Sequence, residues 1–101
     1  MDLSEKTVLV TAGASGIGWA ISEAFLSAGA QVHICDISSQ AIQSATSEIP
    51  KISSTLADVS NLDDVDQIFN DIDRLYGQLD VVVNNVGIAG PTAALEDIEP
   101  E

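Results

Sequence analysis

Four short runs, three of them apolar with β-branched residues and the third in order less apolar, are separated by three stretches whose apolar residues recur at helical spacing. Thr7 to Thr11 (TVLVT) reads as a strand, and its continuous apolar character suits burial on both faces, as in a parallel sheet. From Gly16 to Ala28 the residues Ile17, Ala20, Ile21, Ala24, Phe25 and Ala28 predict one apolar helix face, with Gly29 ending the helix. Gln31 to Cys35 is the second strand. Ser39 to Ile49 is a weaker helix with Ile42, Ala45 and Ile49 on one side, stopped by Pro50. Ile52 to Ala57 is the third strand. Ser60 and Asp63 give a capping-box-like start to a helix carrying Leu62, Val65, Ile68, Phe69, Ile72, Leu75 and Tyr76, with Gly77 as its C-cap. Leu79 to Asn84 is the fourth strand, its Val81-Val82-Val83 core reading as buried on both faces. The segment from Gly87 to Glu101 reads as loop.

The order is therefore β-α-β-α-β-α-β. Helical crossovers of this length join parallel strands with right-handed connections. The fold class is α/β, a doubly wound parallel sheet with expected strand order 3-2-1-4. A chain of 101 residues holds one small core, not a cofactor domain plus a substrate domain.

Formal net charge is −13, with 16 acidic residues against 3 basic ones. Lys6, Lys51 and Arg74 are scattered and make no basic stripe, which argues against nucleic acid or an anionic membrane surface as a partner. Cys35 is the single cysteine, so an intramolecular disulfide or a multi-Cys metal site is excluded, and its apolar surroundings predict a buried structural thiol. No metal site is expected. The start, Met1 to Glu5, has neither a basic region nor an apolar region of the secretory type, and no apolar run reaches membrane-spanning length. A cytoplasmic location is the expectation.

Thr11-Ala12-Gly13-Ala14-Ser15-Gly16-Ile17-Gly18 joins the first strand to the first helix. Glycines there let the backbone turn tightly and approach a ligand, while the helix start offers N–H groups and a positive dipole end to a pyrophosphate. The same loop alone is compatible with a plain strand-to-helix turn; its place at the head of a βαβ unit makes it a dinucleotide signal. Asp36 ends the second strand twenty residues beyond Gly16, the spacing of a carboxylate that accepts from an adenosine ribose. A carboxylate there repels a 2′-phosphate, and neither Ser15 nor Ile37 is basic, so NAD is favoured over NADP. Asp36 is alternatively a carboxylate serving the next helix start. Asp58-Val59 and Asn84-Asn85-Val86-Gly87 follow the third and fourth strands, where open α/β sheets bind ligands, although each alone is compatible with an ordinary turn.

Taken together, these elements resemble the short-chain dehydrogenase/reductase family over essentially the whole chain. Its T-G-x-x-x-G-x-G loop is matched by Thr11 to Gly18 and its N-N-A-G element by Asn84 to Gly87. The resemblance implies a partial Rossmann fold, the cofactor-binding half of a nicotinamide-dependent oxidoreductase. It implies cofactor contacts by Gly13, Ser15, Gly16, Ile17 and Gly18 at the pyrophosphate and ribose, and by Asp36 at the ribose hydroxyls. It implies Asp58 at the adenine amino group with Val59 beside it, and Asn84, Asn85 and Gly87 supporting the central strand and the adenosine side. Hydride transfer between NAD and an alcohol or ketone is the implied activity of a complete protein.

Two departures stand out. Ala12 replaces the first loop glycine and adds a methyl at a tight turn; Val86 replaces a small Ala. The family's catalytic Ser and its Tyr-x-x-x-Lys pair have no counterpart here. Tyr76 is the sole tyrosine, four residues before Asp80 rather than Lys, and continues an apolar helix face. His33, between Val32 and Ile34, reads as a packed strand residue and not a catalytic one. No catalytic residue is expected, and the helices used for oligomerisation are expected to be largely absent. The alternatives are a non-catalytic NAD-binding module or pseudo-enzyme, a methyltransferase-like α/β fold, whose acidic residue before the loop is missing, and a receiver domain, whose acidic cluster after the first strand is replaced by glycines.

Overall fold

The computed structural model describes residues 2–85. The expected loop over 87–101, and with it Val86 and Gly87, lies outside them. Four strands, β1 (Thr7–Thr11), β2 (Gln31–Asp36), β3 (Ser53–Leu56) and β4 (Val81–Val83), alternate with helices α1 (Gly16–Ser27), α2 (Ser39–Glu48) and α3 (Leu62–Tyr76). All pairings are parallel and the order is β3-β2-β1-β4, as expected. The register places Leu9 beside His33 and Val82, and His33 beside Ser53.

Side chains alternate across this sheet, so it has two inner layers. Val8, Val10, Val32 and Ile34 point to α1 and α2, where Trp19, Ile21, Phe25, Ala45 and Ile49 cover them. Leu9, Cys35 and Ala57 point the other way, under Ile68, Ile72 and Tyr76 of α3. Helices on both faces make the sheet doubly wound. Among the described residues no helix is long and apolar enough to cross a membrane, and no group of three or more His, Cys, Asp or Glu is placed to hold a metal.

Two expectations need correction. Helix α1 does not bury the whole expected stripe: Ile21 and Phe25 pack on the core, but Ala20 and Ala24 are exposed and Ile17 is 74% exposed. The buried positions are instead Gly18 and Ser22. Small residues there let the helix lie close, and Ser22 hides its hydroxyl against the Gly18 and Gly13 carbonyls at 2.9 and 3.3 Å. Helix α3 is capped by Asn61, not Ser60: Asn61 Oδ1 accepts from the Asp64 N–H at 3.1 Å, while the Ser60 hydroxyl donates to Asp58 Oδ1 at 2.6 Å. Leu62, Phe69 and Leu75 of its expected apolar face are exposed. Among the described residues β4 is the outer strand, and Val82 is 52% exposed. Gly77 ends α3 in the left-handed region, as expected.

Candidate cofactor-binding site

The carboxyl ends of the four parallel strands bring the glycine-rich loop, Asp36, Asp58 and the Asn84-Asn85 pair to one end of the sheet. The loop is tied down at both ends. Gly13 N–H donates to the Cys35 carbonyl at 3.2 Å. Thr11 is the hinge between β1 and β4: its hydroxyl lies 3.3 Å from both the Val83 carbonyl and Asn84 Oδ1, and accepts from the Asn85 N–H at 2.7 Å. Asn85 Nδ2 donates to the Ala12 carbonyl at 3.4 Å. Asn84 and Asn85 therefore brace the end of β1.

Ala12 has φ +51, in the left-handed region where a Cβ is costly. The expected strain at the replaced glycine is thus present. Gly18 must remain glycine because a Cβ there would overlap the Ala12 carbonyl oxygen and stand 2.9 Å from Asn85 Nδ2. Gly16 differs: its φ is +59 and nothing lies within 4 Å of its Cβ direction, so its backbone faces open space. Ser15 precedes α1 without a side-chain cap, whereas Ser38 and Asn61 cap α2 and α3 with theirs. The first N–H groups of α1 thus keep their donor capacity for an anionic group.

Asp36 bonds to backbone on both sides. Its Oδ2 accepts from the Ala14 N–H at 3.2 Å and its Oδ1 from the Ser38 N–H at 3.1 Å, so it joins the loop to the start of α2. Each oxygen keeps lone-pair capacity for a further donor such as a ribose hydroxyl. Beside it lies a groove of about 260 Å3 lined by Ile37, Leu56, Ala57, Asp58 and Asp64. The Asp58 N–H donates to Asp64 Oδ2 at 2.9 Å, and Asp58 Oδ1 accepts from the Ser60 hydroxyl and N–H, which hold its carboxyl below the usual range. Val59 packs against the α3-side core, one residue from the groove.

Ser22, Leu56 and Asp64 also build this end without being singled out by the sequence. Leu56 carries a signal, as an apolar residue at a strand terminus, and Ile37, read from sequence only as a non-basic position, lines the groove. Tyr76 and His33 lie away from it, in the layer between the sheet and α3, where the Tyr76 hydroxyl and Ser53 Oγ are 2.7 Å apart. Burial pushes the Cys35 thiol up to about 11, in keeping with an inert packed residue.

An uncapped helix start, an open Gly16, an anchored carboxylate and an adjoining half-apolar groove suit an extended ligand with a pyrophosphate, a ribose and a flat base. Comparison with known proteins agrees with that geometry. Residues 6–101 match the profile of the short chain dehydrogenase family. The chain is 40% identical over 102 residues to the short chain dehydrogenase/reductase dpfgG of Gibberella zeae, covering 98% of this chain and 38% of that protein. It is 36% identical to the 3beta-hydroxysteroid dehydrogenase 2 of Eggerthella lenta, covering 94% of this chain and 39% of that protein. Among solved structures, a short chain dehydrogenase from Bacillus anthracis superposes with a TM-score of 0.78 at 32% identity, over 83% of this chain and 35% of that one. The chain spans less than two-fifths of the length of these relatives, and it belongs to the short-chain dehydrogenase/reductase family.

Proposed function

We propose that this chain is the NAD-binding part of an oxidoreductase that transfers hydride between the nicotinamide and an alcohol or ketone. In this reading Gly13, Ser15, Gly16, Ile17 and Gly18 bind the pyrophosphate and its ribose, and Asp36 accepts from the adenosine ribose hydroxyls. Asp58 and Val59 flank the adenine, and Asn84, Asn85 and Gly87 border the adenosine side. When bound, NAD supplies the hydride acceptor; the protein's own contribution is to hold and orient it. The setting of this activity is the cytosol, with the cofactor as the small-molecule partner.

The observation that carries the choice of NAD is the distribution of charge. Lys6 precedes β1, Lys51 lies just before β3 and Arg74 sits in the last turn of α3, so all three basic residues are at the amino ends of the strands. The opposite end holds Asp36, Asp58 and Asp64. Nothing there neutralises a 2′-phosphate, and three carboxylates oppose it. Calorimetric titration with NAD and NADP tests this: NAD binds more tightly, and Asp36→Ala reduces the difference. Equal or tighter binding of NADP to the native chain sinks the assignment.

Within these 101 residues no Tyr-x-x-x-Lys pair is present to exchange a substrate proton. NAD binding without NADH formation on a panel of alcohols is the outcome expected of these residues by themselves.

A further inference from the structure

Five polar side chains between the sheet and α3 stand in line. Tyr76 Oη is 2.7 Å from Ser53 Oγ, which is 2.6 Å from His33 Nδ1. On the far side of the ring, Nε2 is 2.7 Å from Thr55 Oγ1, which is 2.6 Å from Asp71 Oδ2. His33 is wholly buried. The proposed cofactor chemistry uses none of the five.

The direction of every bond follows from one end. Burial favours the neutral form of Asp71, but hydrogen bonds from Thr55, Gln67 and Arg74 outweigh it and hold the carboxyl below the usual range. An ionised carboxylate only accepts, so the single Thr55 hydrogen points to Asp71. Thr55 then accepts from His33, which places the imidazole hydrogen on Nε2. A neutral ring has one such hydrogen, so Nδ1 accepts from Ser53. Ser53 has then used its hydrogen, and Tyr76 donates to Ser53.

We infer that Tyr76, Ser53, His33, Thr55 and Asp71 form a one-way hydrogen-bond chain that latches α3 onto β2 and β3 and is weakened when His33 takes a second proton. Asp71 and Tyr76 grip the helix at two points more than a turn apart. The first turn of the same helix carries Asp64, which holds the Asp58 N–H, so the latch also steadies one wall of the groove. A proton on Nδ1 makes both ring nitrogens donors. Ser53 must then reverse, turning its hydrogen to the Val32 carbonyl at 3.5 Å or back onto Tyr76. The first is at the limit of a hydrogen bond and the second removes Tyr76's acceptor.

The groups facing the ring are few. Helix α3 presents Asp71, Arg74 and Tyr76; β3 presents Ser53 and Thr55, which do not titrate; β1 presents Leu9, and β2 itself carries Cys35 two residues on. Burial opposes the cation most, Asp71 favours it and Arg74 opposes it, and the ring's pKa is pulled down to about 4.

The chain contains one histidine and one tyrosine, so both ends of the latch give single, assignable signals. Proton–nitrogen correlation spectra of the full chain, without nucleotide, test the inference separately from any reading of the cofactor. At neutral pH the ring is the Nε2–H tautomer and the Tyr76 hydroxyl proton is protected from exchange. As pH falls from 6.5 towards 4, α3 amides lose protection ahead of those of β1 and β2. Thr55→Val removes the acceptor of Nε2–H while leaving that of Nδ1, so the ring changes to the Nδ1–H tautomer; Tyr76→Phe leaves it Nε2–H. The Tyr76→Phe and native spectra decide the matter if Thr55→Val does not fold. An Nδ1–H ring in the native chain, or a His33 titration near its ordinary 6.5, overturns the inference.

Discussion

On one face of the sheet, α1 and α2 cover Val8, Val10, Val32 and Ile34 with a layer that is apolar but for the Ser22 hydroxyl, which does not titrate. On the other, α3 covers Leu9 and Cys35 with Ile68 and Ile72 but also lies on His33, Ser53 and Thr55. Apolar packing is non-directional: it depends on volume and is indifferent to pH. A buried polar chain is directional, and each member is satisfied only if its neighbours keep their protons in place. Both helical layers thus exclude water, but only one of them is sensitive to acid.

The largest effect is expected on the apolar face. Ile34 is fully buried, and its Cγ2 lies against Gly13, where an added Cβ would come within 2.7 Å. Ile34→Ala should cost about 4 kcal/mol through lost burial and the cavity left behind. Urea unfolding at pH 7 and pH 5 should give the same loss. A marked pH dependence of that loss would break the distinction between the faces.

Acidification is the next largest. The His33 pKa is 6.5 when free and about 4 in the fold, so the unfolded chain binds the extra proton between those values. Stability from this group is complete above pH 6.5 and falls as pH drops towards 4, by about 3 kcal/mol in all. Asp58, Asp71 and Asp80 have pKa values lowered from 3.8, so their contributions are lost only below that range. A denaturation series from pH 7.5 to 4 should therefore fall early in the native chain, and a His33→Ala variant, weaker at pH 7, should be nearly flat between 6.5 and 4.

The comparison also explains what could be read in advance. Strands β1, β2 and β4 lie where their β-branched runs are, because those runs have one stable use in a doubly wound sheet. The places of Asp36 and the glycine-rich loop at the carboxyl ends of the strands were legible because they depend on spacing along the chain. His33 was legible as a packed strand residue, but its partners were not: Ser53, Thr55 and Asp71 arrive from β3 and α3 only once the register is set. Tyr76 counted as one more apolar residue because helical periodicity does not register a hydroxyl. The buried face of α1 is hidden from periodicity for the converse reason: Ser22 is polar by type, although its hydroxyl is satisfied within its own helix and by the loop. The Asp58 turn drew Ser60 away from the cap and left it to Asn61.

A smaller effect is expected at Ala12, in the loop that leaves β1 between the two layers. Its φ of +51 costs about 1–2 kcal/mol for a residue with a Cβ. Ala12→Gly removes that strain, while the freer unfolded chain returns about 0.4–1 kcal/mol of it. The net should be a gain of about 1 kcal/mol in thermal unfolding, with NAD binding modestly tightened. Weaker NAD binding at unchanged stability would show that the methyl group positions the loop rather than straining it.

Arg74 gives the smallest change in stability and the sharpest test of how the polar layer works. Its guanidinium is 3.2 Å from Asp71 Oδ1, but its side chain is 68% exposed, and Asp71 is also held by Thr55 and Gln67. An exposed pair of this kind contributes about 0–1 kcal/mol, and the remaining bonds keep the carboxylate in place. Arg74→Gln should therefore leave the unfolding midpoint at pH 7 almost unchanged. It also removes a positive charge that opposes protonation of His33, while Asp71, whose charge favours it, remains. The His33 pKa should rise, and the acid-induced loss of stability should begin at higher pH. If the midpoint holds and the titration moves, the acid response lies in the charges around the ring rather than in the strength of the surface pair. If the midpoint drops and the titration stays, Arg74 is a packing residue and the two faces differ less than their chemistry suggests.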